Sequence, residues 1–348
     1  MLELENIFLY KKNFSLKNIS LNINEKNYHI ILGPTGAGKT LLLESIVGIN
    51  KIKRGKIYYK GERIDKKQIN KRDIGIVYQN LYLFNHLNVK KNILYSIKCK
   101  NEKKNVEDKF NKIVSLLKIE NIINRSVVNL SGGEKQRVAL ARTLMKDSDL
   151  ILLDEPFSAL DSITKWEIIR EVKKVFEKLG KTVIQVTHDI EEALFLADTI
   201  SVIKNGKIIQ NGRLNDVYNF PKNEEVAKLI KKDNLFKMKW NPRKHHFEKN
   251  GFEIYFDENY DYDTALVYIP PSSIVLSNEK VKTSARNVYK GKIRKIILQN
   301  FGAKILVDVG VVLSVYLTKK SLRELNLKKG KETCLFFKTN TVELVDKE

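Results

Sequence analysis

Apolar and polar positions alternate over the first stretch of the chain, with Leu2, Leu4 and Ile7, then Phe14, Leu16, Ile19 and Leu21. A period of two predicts half-buried strands. Residues 28–32 are apolar with one histidine and predict a buried strand; a glycine-rich loop follows, then a helix opening at Thr40-Leu41-Leu42-Leu43. Residues 54–59 read as a turn and strand, and residues 73–79 as a buried strand ending in Gln79. From Val89 to about Arg125 the period becomes helical, carried by Ile93, Ile97, Phe110, Ile113, Val114 and Leu117. Ser131 is placed to cap a further helix with Val138, Leu140, Ala141 and Leu144 on its apolar face. Two apolar strands then end in polar groups, 150–153 in Asp154-Glu155 and 182–187 in His188. Strands interleaved with helices predict an α/β domain over residues 1–235, with a helical subdomain at about 80–135. Beyond 236 the character changes. Residues 236–259, with Pro242, His245-His246 and mixed charge, read as a linker or the first strand of a new domain. Short strands near 265–270, 288–293, 304–310, 313–318 and 334–338 predict a small all-β barrel over 236–348.

The loop supplies the first chemistry. Gly33, Pro34, Thr35, Gly36, Ala37, Gly38, Lys39 and Thr40 fit G-x-x-x-x-G-K-[ST], the phosphate-cradling P-loop. Glycines let successive N–H groups point at phosphate oxygens, and the helix start adds its positive end. Lys39 brings a point charge to the transferring phosphoryl group, and the Thr40 hydroxyl suits Mg²⁺. Asp154 is placed to hold the Mg²⁺ shell, and Glu155 to polarise water for in-line attack. Gln79, at a strand's carboxyl end, is within reach of Mg²⁺ or that water. Of five histidines only His188 ends a strand in this half, where it can contact the γ-phosphate. Tyr10 is the better purine-stacking candidate, and Phe14 reads as core. Ser131-Gly132-Gly133 opens a second helix with anion-site character. His245-His246 lacks an evident third metal ligand and reads as linker.

Composition narrows the class. The chain has 348 residues, 43% of them hydrophobic, without an apolar run long enough for a membrane span. Cys99 and Cys334 stand far apart and outside any metal spacing, which favours a reducing, cytoplasmic compartment. The formal charge of +22 raises nucleic acid or an anionic surface as partners. Lysines are nevertheless scattered among acidic residues, as in 98–104, so solvated faces account for them and no nucleic acid is expected.

Taken in order, the P-loop, Gln79, Leu130-Ser131-Gly132-Gly133-Glu134, Asp154-Glu155, Ser158-Ala159-Leu160-Asp161 and His188 resemble an ABC-transporter ATPase subunit over residues 1 to about 235. That resemblance implies a P-loop NTPase fold of the ABC type, ATP and Mg²⁺ as ligands, and Tyr10 as the A-loop aromatic. It makes Gln79 the Q-loop residue, 130–134 the signature motif, Glu155 the catalytic base and His188 the switch. It also implies a head-to-tail homodimer in which each ATP lies between one P-loop and the partner's signature motif. Residues 83–93 resemble the segment after the Q-loop in binding-protein-dependent importers, with Asn85 where many have proline. Two membrane permease subunits, an external substrate-binding protein and a place on the cytoplasmic face of the cell membrane follow from the family. Residues 283–345 resemble a molybdate-binding, Mop-type domain, an OB-like barrel that would act in regulation. Ser284, Arg286, Thr318, Ser321 and Lys338 are its oxyanion candidates, with Thr339 where alanine is usual. The implied protein is the ATPase of a molybdate or tungstate importer. A sugar or polyamine importer is the alternative, since its ATPase also carries a C-terminal β-domain. DNA-repair ATPases insert long coiled coils between P-loop and signature; here about 90 positions separate Thr40 from Leu130, without sustained heptads.

Overall fold

The computed structural model describes residues 1–11, 14–97, 103–279, 281–299 and 302–347; Cys99 lies outside them. The chain forms two compact units, Met1–Val217 and Tyr218–Glu348. The first begins β1 (Leu2–Lys11), β2 (Phe14–Ile23), β3 (Tyr28–Leu32), α1 (Lys39–Val47), β4 (Arg54–Tyr59), β5 (Glu62–Arg63) and β6 (Ile74–Val77). Three helices follow, α2 (Val89–Leu94), α3 (Lys103–Leu116) and α4 (Gly132–Met145). It closes with β7 (Leu150–Asp154), α5 (Ser162–Leu179), β8 (Thr182–Thr187), α6 (Ile190–Leu196), β9 (Thr199–Lys204) and β10 (Lys207–Arg213).

One sheet is ordered β2-β1-β4-β5, and its described pairs are antiparallel. The other is ordered β10-β9-β3-β8-β7-β6, parallel except for the β10 edge. The parallel strands read as continuous apolar runs because both faces are covered. Helix α1 is apolar nearly all round for the same reason: Leu41, Leu42, Leu43, Ile46 and Val47 are buried in one core with Leu4, Leu16 and Ile57 of the first sheet and Ile31, Leu152 and Ile184 of the second. In the parallel sheet Leu32 pairs with Thr187, Asp154 with Val186, and Val77 with Leu153. The carboxyl ends of β3, β8, β7 and β6 therefore come level, and residues just beyond them share one crevice.

One polar residue of this core makes its stability pH-dependent. His29 on β3 is buried, with Nδ1 2.7 Å from Thr199 Oγ1 and Nε2 3.0 Å from Ser201 Oγ. Burial pushes the imidazole down to about 3. The unfolded chain takes up this proton near pH 6.5, so the stabilisation is complete above that pH and is lost as pH falls towards 3. Between pH 7 and pH 5 the loss from this group is about 2 kcal/mol. Denaturant unfolding followed at Trp166 in a Trp240→Phe background should show His29→Gln removing about that much of the acid sensitivity.

Helix α7 (Leu214–Asn219) carries the chain into the second unit, which opens with α8 (Glu224–Leu229). The strands are β11 (Leu235–Asn241), β12 (His246–Lys249), β13 (Phe252–Tyr255), β14 (Thr264–Tyr268), β15 (Val275–Ser277), β16 (Asn287–Gln299), β17 (Gly302–Asp308) and β18 (Val312–Leu317). After α9 (Lys319–Glu324) come β19 (Glu332–Phe337) and β20 (Glu343–Lys347). They make two sheets, β13-β12-β11-β14-β20 and β15-β19-β16-β17-β18. Phe247, Ile254 and Val267 of one share a core with Ile293, Ile305 and Leu335 of the other. This is the all-β character expected of the region. Residues 236–259 are not a linker: they form most of a three-stranded antiparallel meander, paired Trp240 with Phe247 and Phe247 with Ile254. Asn250 and Gly251 take φ of 51° and 81°, the left-handed pair of a two-residue turn that suits an Asn-Gly hairpin.

Candidate active site

The P-loop, Gln79, Asp154, Glu155 and His188 sit at or just past the carboxyl ends of strands. The loop after β3 turns through Gly36 at φ 80° and Gly38 at φ 100°, conformations that disfavour a side chain. Gly38 caps α1 without a side-chain bond, and the first turn carries no acidic residue. The helix start is thus left open to an anion. Lys39 is 5% exposed. Its Nζ donates to Gly33 O at 2.9 Å and Pro34 O at 3.1 Å, and lies 3.3 Å from Glu155 Oε1. Thr40 Oγ1 donates to Asp154 Oδ1 at 3.0 Å. Burial pushes the Asp154 carboxyl above its usual range, with the Thr40 hydrogen bond acting against it. A buried carboxylate held by one hydroxyl, with the Gln79 amide on the neighbouring strand's end, is a hard-oxygen donor set that fits Mg²⁺. Such an ion supplies charge neutralisation at the phosphate oxygens.

Glu155 is the hub of the remaining contacts. Its Oε2 lies 3.1 Å from His188 Nδ1. Its backbone sits at φ 41°, a left-handed turn that costs a non-glycine residue about 1–2 kcal/mol. Hydrogen bonds from its N–H to Val186 O (3.1 Å) and from Ser158 N–H to its carbonyl (3.3 Å) hold that turn. Gln79 Nε2 donates to Ser158 Oγ at 3.2 Å, and Ser158 Oγ donates to Glu155 O at 3.0 Å. Lys39 and His188 thus contact Glu155 directly, Gln79 reaches it through Ser158, and the Thr40–Asp154 pair lies beside them as chain neighbours of Lys39 and Glu155.

Among the described residues no hydrogen bond or ion pair joins two further expected residues, Tyr10 and Ser131, to this group. Tyr10 is exposed on β1, whereas Phe14 is half-buried and packs beside Gly38. Ser131 caps α4 in a reciprocal box: Glu134 N–H donates to Ser131 Oγ at 3.3 Å, and Ser131 N–H donates to Glu134 Oε2 at 2.8 Å. Among the described residues no hydrogen bond or ion pair joins this box to the P-loop. Leu130 is buried, Gly133 faces Ile168, and Gly132 lies against Leu160.

The sequence reading missed the residues that shape the segment after Gln79. Asn92 is fully buried on α2; it accepts from Phe84 N–H at 2.8 Å and donates to the carbonyls of Phe84, Leu87 and Asn88, each at 3.1 Å. Arg142 of α4 donates to Leu81 O and Tyr82 O at 2.7 Å, where Leu81 and Tyr82 both have positive φ. The loop walls a groove of about 1350 Å³ lined by Tyr78, Tyr82, Phe84, Tyr95 and Arg142, with Tyr82 and Tyr95 exposed. Bonds to backbone carbonyls, local at Asn92 and long-range at Arg142, leave no side-chain pattern in a sequence.

A P-loop at the switch of a parallel sheet, with two acids and a histidine across the crevice, defines a nucleoside-triphosphate hydrolase. Residues 16–158 match the ABC transporter family model. The chain is 37% identical, over 99% of both chains, to the molybdate/tungstate import ATP-binding protein WtpC of Pyrococcus horikoshii. It is 41% identical to the spermidine/putrescine import ATP-binding protein PotA of Borreliella afzelii, over 68% of this chain and 69% of that one. Among solved structures, cbiO1 from Clostridium perfringens, part of the ABC transporter complex cbiONQ, superposes with a TM-score of 0.58 at 29% identity, covering 65% of this chain and 92% of that one. The cassette MJ0796, in a dimeric post-hydrolysis state with ADP and Pi, gives 0.55 at 31% identity, covering 62% and 99%. The chain belongs to the ABC-transporter family, as an ATP-binding and ATP-hydrolysing subunit of an importer.

Proposed function

We propose that this subunit drives import of molybdate or tungstate, as a head-to-tail homodimer on two membrane permease subunits served by an external binding protein. The observation that carries the substrate is the extent of similarity: the Pyrococcus protein named for molybdate/tungstate import matches 99% of the chain, the polyamine-import protein 68%. In this reading Glu155 polarises the attacking water, His188 and Gln79 sense the γ-phosphate, Thr40 and Asp154 hold Mg²⁺, and the signature helix α4 seals the partner's nucleotide. The groove beside Tyr82 and Tyr95 receives the permease, and Arg142 and Asn92 keep its wall in shape. Among the described residues no helix is long and apolar enough to cross a membrane. Reconstituted with permease and binding protein, ATPase activity should rise when the binding protein is loaded with molybdate or tungstate. Stimulation by spermidine or a sugar instead would replace this substrate with the polyamine or sugar reading.

The second unit would sense the same oxyanion from the cytoplasmic side. Within one chain the five candidates fall into two groups. Asn287 pairs with Phe337, which sets Ser284, Arg286 and Lys338 near the start of β16. Gln299 pairs with Gly302, and Ala303 with Leu317, which sets Thr318 and Ser321 near its other end. Thr318 Oγ1 lies 2.9 Å from Ser321 Oγ, and Arg286 pairs with Asp257 at 3.0 Å. A tetrahedral dianion needs several donors and compensating charge, which two barrels in contact provide together. With molybdate or tungstate on the cytoplasmic face, turnover of the assembled transporter should slow about tenfold, equivalent to about 1.4 kcal/mol of differential binding. A Ser284→Ala, Lys338→Ala double variant should escape. Indifference to both anions, or equal slowing of wild type and variant, rejects the sensing role.

A further inference from the structure

The β12–β13 hairpin carries a polar cluster that ATP hydrolysis does not use. His246 is fully buried, yet neither ring nitrogen has a hydrogen-bond partner. An imidazole shut away from water without a partner is costly, and its presence calls for a ligand. Nε2 points at two carboxylates, 3.6 Å from Glu248 Oε2 and 3.7 Å from Glu253 Oε1. Both distances are too long for hydrogen bonds.

The hairpin register explains the convergence. The turn at Asn250-Gly251 pairs Lys249 with Phe252, and so Glu248 with Glu253. His246 and Glu248 are two apart, so all three side chains share the face opposite Phe247 and Ile254, which fill the core. Two like charges directly opposed across a hairpin are unfavourable unless something cationic lies between them. Lys239 stands opposite Glu248 on β11, but among the described residues it makes no ion pair with either acid.

We propose that His246, Glu248 and Glu253 bind one divalent first-row cation, with Zn²⁺ the best match. The three ligand atoms lie within 4.8 Å of one another. Tetrahedral Zn²⁺ with ligands at about 2.0–2.1 Å needs neighbouring ligand atoms roughly 3.3–3.5 Å apart, so the 3.6 Å and 3.7 Å imidazole–carboxylate distances close by a few tenths of an ångström and the two partly exposed glutamates draw together by side-chain rotation. One imidazole with two carboxylates suits Zn²⁺ better than Ca²⁺ or Mg²⁺, which prefer all-oxygen shells. Three protein ligands leave a fourth position for water. The cation gives the imidazole its partner, offsets the opposed carboxylates and clips the hairpin shut.

The test is calorimetric titration of the full-length, chelator-stripped protein with Zn²⁺ in the absence of nucleotide, which keeps the P-loop site out of the signal. One saturable equivalent is expected, accompanied by a raised unfolding midpoint. Glu248→Gln with Glu253→Gln preserves shape and leaves the buried histidine in place; it should weaken binding at least about a hundredfold, the upper end of what even an outer-sphere change costs. Emission from Trp240, which packs on Phe247 of the same meander, should be unchanged in that variant when followed in a Trp166→Phe background, which shows that the second unit is folded. Absence of a one-to-one event overturns the site. Binding that survives the double variant unweakened overturns it too, by placing the cation elsewhere, for instance at Cys334.

Discussion

Glu155→Gln is expected to bind ATP normally and lose hydrolysis by roughly a thousandfold, about 4 kcal/mol of barrier. The substitution is nearly isosteric, and the left-handed backbone at φ 41° is no worse for glutamine than for glutamate. The contacts from the side chain towards Lys39 (3.3 Å) and His188 (3.1 Å) can persist as ordinary hydrogen bonds to an amide. What disappears is the negative charge that draws a proton from the attacking water. Binding and chemistry should therefore separate. ATP affinity stays within a few-fold, single-turnover hydrolysis collapses, and an ATP-dependent dimer accumulates on size exclusion because it closes without discharging. Turnover within tenfold of wild type would remove Glu155 from the role of base and direct attention to His188.

The crevice was legible before the fold because phosphate chemistry demands contiguous residues. A P-loop has to be read through consecutive backbone N–H groups, and Asp154-Glu155 follows its strand directly, so spacing alone placed them. What joins them, the level carboxyl ends of four parallel strands, is a property of sheet order that no single segment encodes. Asn92 and Arg142 went unseen because they bond to carbonyls, which every residue has. The segment 236–259 reads as either linker or first strand for a different reason. Pro242 and His245-His246 interrupt the alternation, and Glu248 and Glu253 look like scattered charge. Its Asn250-Gly251 pair was the available signal, since a two-residue turn fixes the register and so sets the two glutamates opposite each other. The oxyanion candidates show the converse limit. Closeness to one motif in sequence did not say that β16 would carry Ser284 and Thr318 near opposite ends.

The two anion-directed helix starts, α1 and α4, should respond to mutation in opposite ways. Lys39→Ala removes a buried ammonium held at 2.9 Å and 3.1 Å by the loop's own carbonyls. No other lysine or arginine belongs to the P-loop, so nucleotide affinity should fall at least about a hundredfold, about 2.7 kcal/mol, within the range of a lost charge-assisted pair of hydrogen bonds. Ser131→Arg acts on an exposed cap with no bond to the P-loop. It costs the helix about 1 kcal/mol of capping and puts bulk and charge where a partner's nucleotide would be sealed. Each isolated subunit should then bind ATP within a few-fold of wild type, yet dimer closure and hydrolysis should fail. Ser131→Ala separates the two losses, because it removes the cap without filling the space and should retain most activity. Fluorescent-nucleotide binding on monomers, set beside ATPase rates at dimerising concentrations, reads all three. If Ser131→Arg monomers lost ATP as severely as Lys39→Ala, the α4 start would belong to its own subunit's site, and the head-to-tail arrangement would fall.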